Sequence, residues 1–159
     1  MKWVIGLVAL GLLTACGDTK PPAPQPVAAA PMDPECRTVV VFDSTKISKP
    51  PKDLPDAWKA FSGVWGKAGW NNNTWCHDLY VMKIDEDGKV ALMDTHGPGG
   101  GHDGTAFARV GKLGEDNRLR FYADGIEREY WVENGKLMGV KHLSGNRTMT
   151  IAMLPKSAT

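Results

Sequence analysis

The chain has 159 residues, with 19 basic and 18 acidic side chains, a formal net charge of +1 and 42% hydrophobic residues. That balance gives neither nucleic acid nor an anionic membrane surface an electrostatic footprint, so neither is expected as the main partner. No block of like charge appears, including in the closing "LPKSAT".

The first element is "MKWVIGLVALGLLTAC": one charge at Lys2, then an apolar and small-residue run from Trp3 to Ala15. The run is too short to span a hydrocarbon core of ~30 Å and reads as a secretory signal, residues 1–15. Leu13, Thr14, Ala15 and Cys16 resemble the lipobox of bacterial lipoproteins. The resemblance implies a mature chain that begins at an acylated, palmitate-type Cys16 and is anchored to a membrane by several acyl chains. An ordinary signal peptide with an incidental cysteine is the other reading. In the enterobacterial sorting rule that goes with this resemblance, an Asp after the cysteine retains the protein in the inner membrane. Gly17 stands there, with Asp18 next, which favours the outer membrane over the inner, the domain facing the periplasm.

Residues 17–35, "GDTKPPAPQPVAAAPMDPE", carry six prolines and hardly a bulky apolar group. Such a segment buries too little surface to offset its ordering entropy, so residues 16–35 are expected to form a tether reaching up to ~60 Å at ~3.1 Å per residue. The rest, 36–159, is long enough for one domain with a real core. With Cys16 acylated, Cys36 and Cys76 remain as a pair. In an oxidising compartment a disulfide is the simplest expectation, and two free thiols are the alternative. A nucleophilic Cys76 beside His77 is poor geometry, because neighbouring strand residues point to opposite faces.

After a short apolar run, "RTVVVFDS", and one helical turn over 56–61, turn signals dominate. They fall at 71–73, 85–88, 97–104, 114–117, 123–125, 133–135 and 144–146, among them Asp-Gly and Asn-Gly pairs that favour hairpins. Between them lie runs rich in Val, Ile, Leu, Thr and aromatics, at 63–70, 75–84, 89–96, 105–113, 118–123, 126–132, 136–142 and 147–154. Eight antiparallel strands that close remove their own edges, so the expected fold is an all-β, eight-stranded up-and-down barrel, with an open sandwich as the alternative. The alternation in "TAFARV", "RLRFYA" and "TMTIAML" suits one buried face. The strand methionines read as core filling.

A helical turn leading into "FSGVW" resembles the start of the lipocalin and wider calycin barrels, whose first strand opens with Gly-x-Trp, here Gly63 and Trp65. The resemblance implies that Trp65 plugs the closed end and that Arg147 packs over it. The stretch from "LPDAWKAFSGVWGKAGW" to "YWVENGKLMGV" also resembles a small domain of bacterial envelope proteins.

A meander places the turns at 71–73, 97–104, 123–125 and 144–146 at one end. That end holds the long glycine-rich loop and is the expected mouth. Trp70 and Trp75 flank the Asn run and face each other there, and with Asn72, His77, His96 and His102 they form the candidate ligand-binding set. Pairing Ile84 with Lys89 puts His77 opposite His96, with His102 and Asp103 just beyond. No cofactor is expected from any motif. The exception to consider is zinc or copper held by His77, His96, His102 and Asp103, since imidazole and carboxylate suit both metals. "GPGGGHDG" lacks the lysine and following helix of a phosphate loop. Glu127 and Glu129 in "EREYW" form a possible carboxylate pair but are expected to face solvent.

Three functions remain open. One is a non-catalytic binding module for a small apolar or amphipathic ligand, a lipid or a sugar. The second is a structural envelope lipoprotein with a filled barrel that contacts another envelope protein. The third is a metal-assisted hydrolase, which is disfavoured because no nucleophile elbow and no acid–base pair is evident.

Overall fold

A computed structural model describes residues 36, 38, 46–98 and 103–157, with the backbone alone at position 72. The expected signal peptide, the acylated Cys16, the tether and His102 lie outside the described residues.

After the helical turn α1 (Asp56–Lys59) come β1 (Gly63–Gly69), a second turn α2 (Trp70–Asn73), β2 (Trp75–Ile84), β3 (Lys89–His96) and β4 (Thr105–Leu113). β5 (Leu119–Ala123), β6 (Ile126–Glu133), β7 (Lys136–His142) and β8 (Thr148–Lys156) follow. The eight strands pair in sequence order, and β1 closes on β8 through Val64–Lys156, Trp65–Pro155 and Gly66–Leu154. The fold is therefore a closed antiparallel up-and-down barrel. Two of its hairpins turn at Asp124–Gly125 and Asn134–Gly135, where both residues have positive φ, as a type I′ turn requires.

Inward positions follow the two-residue period of each strand. Leu79 and Val81 of β2, Val90 and Leu92 of β3, Leu119 and Phe121 of β5, Leu137 of β7 and Ile151 and Met153 of β8 are all buried in one core. The segment before β1 seals one end. Leu54 and Phe61 are buried with Trp65, whose indole Nε1 donates to the Phe61 carbonyl at 2.8 Å. Arg147 does not pack over Trp65. It is exposed in the turn before β8, where its Nε donates to the Ser144 carbonyl at 3.2 Å, and nearly the whole of β8 separates it from Pro155, the partner of Trp65.

Cys36 and Cys76 are joined by a disulfide with 5.3 Å between their Cα atoms. Two further described residues ahead of β1 contact β2. The Thr38 hydroxyl donates to Asp78 at 2.8 Å, and the Ser48 amide donates to the Met82 carbonyl at 2.7 Å. Asp78, which also takes Lys156 at 2.7 Å, is thereby buried on the outside of the barrel wall.

One seam of the barrel is nearly open. β3 and β4 pair over eight positions, whereas β4 and β5 pair only at Lys112–Arg120 and Leu113–Leu119. Because β5 is short and ends in a tight turn, the first half of β4 has no strand paired to it on that side among the described residues. Phe107, which shares a face with its buried partner Asp94, is consequently 42% exposed instead of being core as its alternation suggests.

Candidate functional site

The other end of the barrel, beside this seam, is filled with polar groups rather than aliphatic ones. The strand period that carries Leu79 inward also carries His77. Likewise Asp94 and His96 follow Leu92, Arg128 precedes Tyr130, and Lys141 follows Gly139. His77, Asp94, His96, Arg128 and Lys141 are all at most 9% exposed. His77 and His96 are paired across β2 and β3, as expected, with ring centroids 4.7 Å apart.

His77 is held as a neutral imidazole. Its Nδ1 donates to the Thr95 carbonyl at 3.0 Å, which leaves Nε2 to accept from the Tyr130 hydroxyl at 3.2 Å. Burial pushes this histidine well below its ordinary pKa, and the neighbouring cations push the same way. Tyr130 is pushed up, by burial and then by the Asp94 charge. Its ring lies over Gly139, where an added Cβ would sit 2.6 Å from a ring carbon.

Asp94 is the hub. Its Oδ2 receives the Arg128 guanidinium in a close, buried ion pair, and its Oδ1 stands 3.3 Å from both His77 Nδ1 and His96 Nε2. Burial alone would raise this carboxyl. The hydrogen bond from His96 and the facing His77 and Arg128 outweigh that cost and hold it well below the usual carboxylate range. Several buried polar atoms are left over. Among the described residues, Arg128 Nε, Arg109 Nε and the His96 Nδ1 ring nitrogen have no hydrogen-bond partner.

A cleft of about 350 Å³ opens onto these groups through the β4–β5 seam. Trp75, Phe107 and Ile126 form its apolar sides, Asp103 and Asp124 stand at its rim, and His96, Arg128 and Lys141 line it further in. Lys141 has no carboxylate within ion-pair distance among the described residues. Its ammonium lies 4.2 Å from the Trp70 ring centroid and 5.7 Å from that of Trp75.

The chain matches no family model, no curated protein and no solved structure. Its function has to be read from the barrel's own side chains.

The structure brings together part of the expected set. Trp70 and Trp75 do face each other across the first hairpin, through an isolated bridge. Trp70, however, is not at the rim. The turn α2 folds inward against β8, and Trp70 is fully buried, 5.7 Å from His77 and 6.2 Å from Tyr130 between ring centroids. Trp75 alone of the two borders the cleft. The backbone at Asn72 belongs to α2. His77 lies under His96 in the polar cluster, His96 and Asp103 line the cleft, and Glu129 is engaged outside the barrel by Arg118 and Arg120 at 2.6 and 2.7 Å.

His77, Asp94 and His96 offer ligand atoms that all lie within 4.8 Å of one another, a donor set suited to zinc or copper. Arg128 occupies the place a cation would take. It pairs with Asp94 Oδ2 and stands 3.4 Å from His96 Nε2, while His77 Nδ1 is committed to Thr95. The donor set is therefore spent on an arginine, and the cluster fits a fixed polar floor better than a metal centre.

Sequence reasoning missed Arg128, Tyr130 and Lys141. The signal was present: Arg128 sits at the inward position between Glu127 and Glu129, and Lys141 continues the Leu137–Gly139 face of its strand. A charge at an inward position of a barrel strand needs a partner or a purpose.

Proposed function

We propose that this chain is a lipocalin-like, non-catalytic binding module of the bacterial envelope, held to the membrane by an acylated Cys16 and a proline-rich tether. In this reading the seam cleft takes one small amphipathic molecule. The observation that carries it is the cleft itself. Apolar walls at Trp75, Phe107 and Ile126 lead to a buried Arg128 Nε donor and a buried His96 ring nitrogen that lack partners among the described residues. Binding sites for small molecules combine apolar enclosure with a few placed polar groups in this way, and 350 Å³ lies toward the small end of their range. Below the polar floor the interior is packed by Trp70, Tyr130 and Phe121, so the ligand rests in the cleft and does not enter deeper.

The test is a titration of the full chain with octanol, followed by tryptophan fluorescence, because Trp75 borders the cleft. Saturable quenching is expected, weakened roughly tenfold or more by Phe107→Glu through loss of an apolar wall worth ~1.5–3 kcal/mol. An unchanged affinity in that variant would remove the cleft from the reading. Membrane attachment is tested separately: Cys16→Ser should shift the chain from the membrane fraction to the soluble one.

The packed lower interior favours one second reading, a structural lipoprotein whose outer surface contacts another envelope protein. Absence of ligand quenching, together with a cross-linked envelope partner, would select it.

A further inference from the structure

Lys141 stands outside the polar network: no ion pair among the described residues includes it. Its register partner on β6 is Arg128, so two cationic side chains stand side by side on the inner face. Like charges placed opposite each other across strands repel. Asp94 is taken by Arg128, and no carboxylate among the described residues lies within ion-pair distance of the lysine. What the ammonium has instead is the face of Trp70 at 4.2 Å and, farther off, Trp75 at 5.7 Å. A ring face returns ~0.5–2 kcal/mol, much less than the hydration lost by an amine that is 5% exposed. The neutral amine is the form this pocket suits. Burial, then the charge of Arg128, push Lys141 down to about 7. It nevertheless lines the cleft that opens to solvent.

We propose that Lys141 forms a reversible imine with the carbonyl carbon of an apolar aldehyde seated in the cleft. The inference rests on the seam cleft being a ligand site, and it names the ligand class. The Nζ lone pair attacks the carbonyl carbon, and a C–N bond forms as the C=O π bond breaks to give a carbinolamine. Loss of the hydroxyl as water, with both amine protons ending in that water, forms the C=N bond. Nothing is oxidised or reduced, and hydrolysis releases the aldehyde again. Arg128, beside the lysine in register and with an unpartnered Nε, supplies a donor for the carbonyl oxygen. Trp75, Phe107 and Ile126 receive the alkyl chain. A buried lysine freed of its proton is the kind of amine that carries Schiff-base chemistry.

The probe is octanal, with octanol as its non-reactive counterpart. The full chain is incubated with octanal at neutral pH, reduced with borohydride and mapped by peptide mass spectrometry. A pKa near 7 gives Lys141 on the order of a thousand times more free amine than an ordinary lysine at that pH, so octyl labelling there should exceed any other lysine about tenfold or more. Lys141→Met, folded by its native circular dichroism, should abolish that label. If octanol binds and octanal labels surface lysines as readily as Lys141, the imine is refuted and the cleft stands. If neither compound binds, the cleft reading fails and takes the imine with it.

Discussion

Replacing Lys141 with methionine should stabilise the barrel at neutral pH, and the advantage should disappear as the pH approaches 10. The groups facing this ammonium are Trp70, Trp75, Arg128 on β6, Asp94 on β3 and Asp124 in the β5–β6 turn, with His77 and His96 behind them and Met149 opposite on β8. Their sum, dominated by burial, places the folded-state pKa at about 7 against 10.5 for an ordinary lysine. Between those values the unfolded chain holds a proton that the folded chain has lost, so stability rises with pH across that window. Toward its lower end nearly the whole cost of the buried amine is felt. At 1.36 kcal/mol per pKa unit, the gap between 10.5 and about 7 sets that cost at up to about 5 kcal/mol. Methionine keeps most of the apolar stem and carries no charge. Urea unfolding followed by circular dichroism at about pH 7, 8 and 9.5 should show the native protein gaining ~2–4 kcal/mol while the variant stays level, the two converging at the top. Tyr130 sets the upper limit of the measurement. Burial pushes its pKa up, so above about 10 the unfolded chain loses a phenolic proton that the folded one keeps, and stability turns down. A native protein whose stability is flat from pH 7 to 9.5, or a variant less stable than it at pH 7, would refute this account of Lys141.

Asp94→Asn should cost ~3–5 kcal/mol in the same assay, because it strands the Arg128 guanidinium without its counter-charge in a buried site. Removing the Cys36–Cys76 bond, as the double serine variant, frees a loop spanning a sequence separation of 40 and should lower stability by ~4 kcal/mol, a loss that added reductant should reproduce in the native protein. Gly139→Ala should cost ~1–3 kcal/mol, since its Cβ would meet the Tyr130 ring at 2.6 Å and Ile151 at 2.9 Å, and a denaturant midpoint at or above the native value would contradict the close packing. On the acid side, His77 has its pKa lowered by burial, so below about 6.5 the unfolded chain takes up a proton that the folded one refuses and stability falls. A nuclear magnetic resonance titration should accordingly find His77 still neutral in the folded protein at a pH where an ordinary imidazole is already charged.

Strand positions were legible because each hairpin announces itself. Asp124–Gly125 and Asn134–Gly135 can hardly be anything but tight turns, and the runs between turns are the length of barrel strands. The pairing of His77 with His96 was expected from Ile84 opposite Lys89; Ile84 instead faces Val90, and the bulge between Val81 and Lys83 shifts the ladder by one so that the far end still pairs as expected. The cysteine pair was legible by subtraction. Trp70 was not legible, because its burial depends on α2 folding inward, and nothing in "WNNN" distinguishes an outward loop from an inward turn. The seam was hidden for a related reason: strand lengths can be read from the chain, but the loss of pairing between β4 and β5 depends on how the barrel staggers. Arg128 and Lys141 were masked by composition. Each lies among charged or polar neighbours that belong outside, and only strand parity separates them from that company.

The disulfide has a mechanical consequence. Cys76 lies on β2, which is hydrogen-bonded to β1 on one side and β3 on the other, so it is not an edge that can be peeled. Tension arriving along the chain before Cys36 passes through the sulfur–sulfur bond directly into that strand, and the segment between Cys36 and β1 carries none of it. To yield under such a pull, the barrel must break two ladders at once. Reduction of the one bond would move the point of attack to the start of β1, beside the short Val64–Lys156 to Gly66–Leu154 closure.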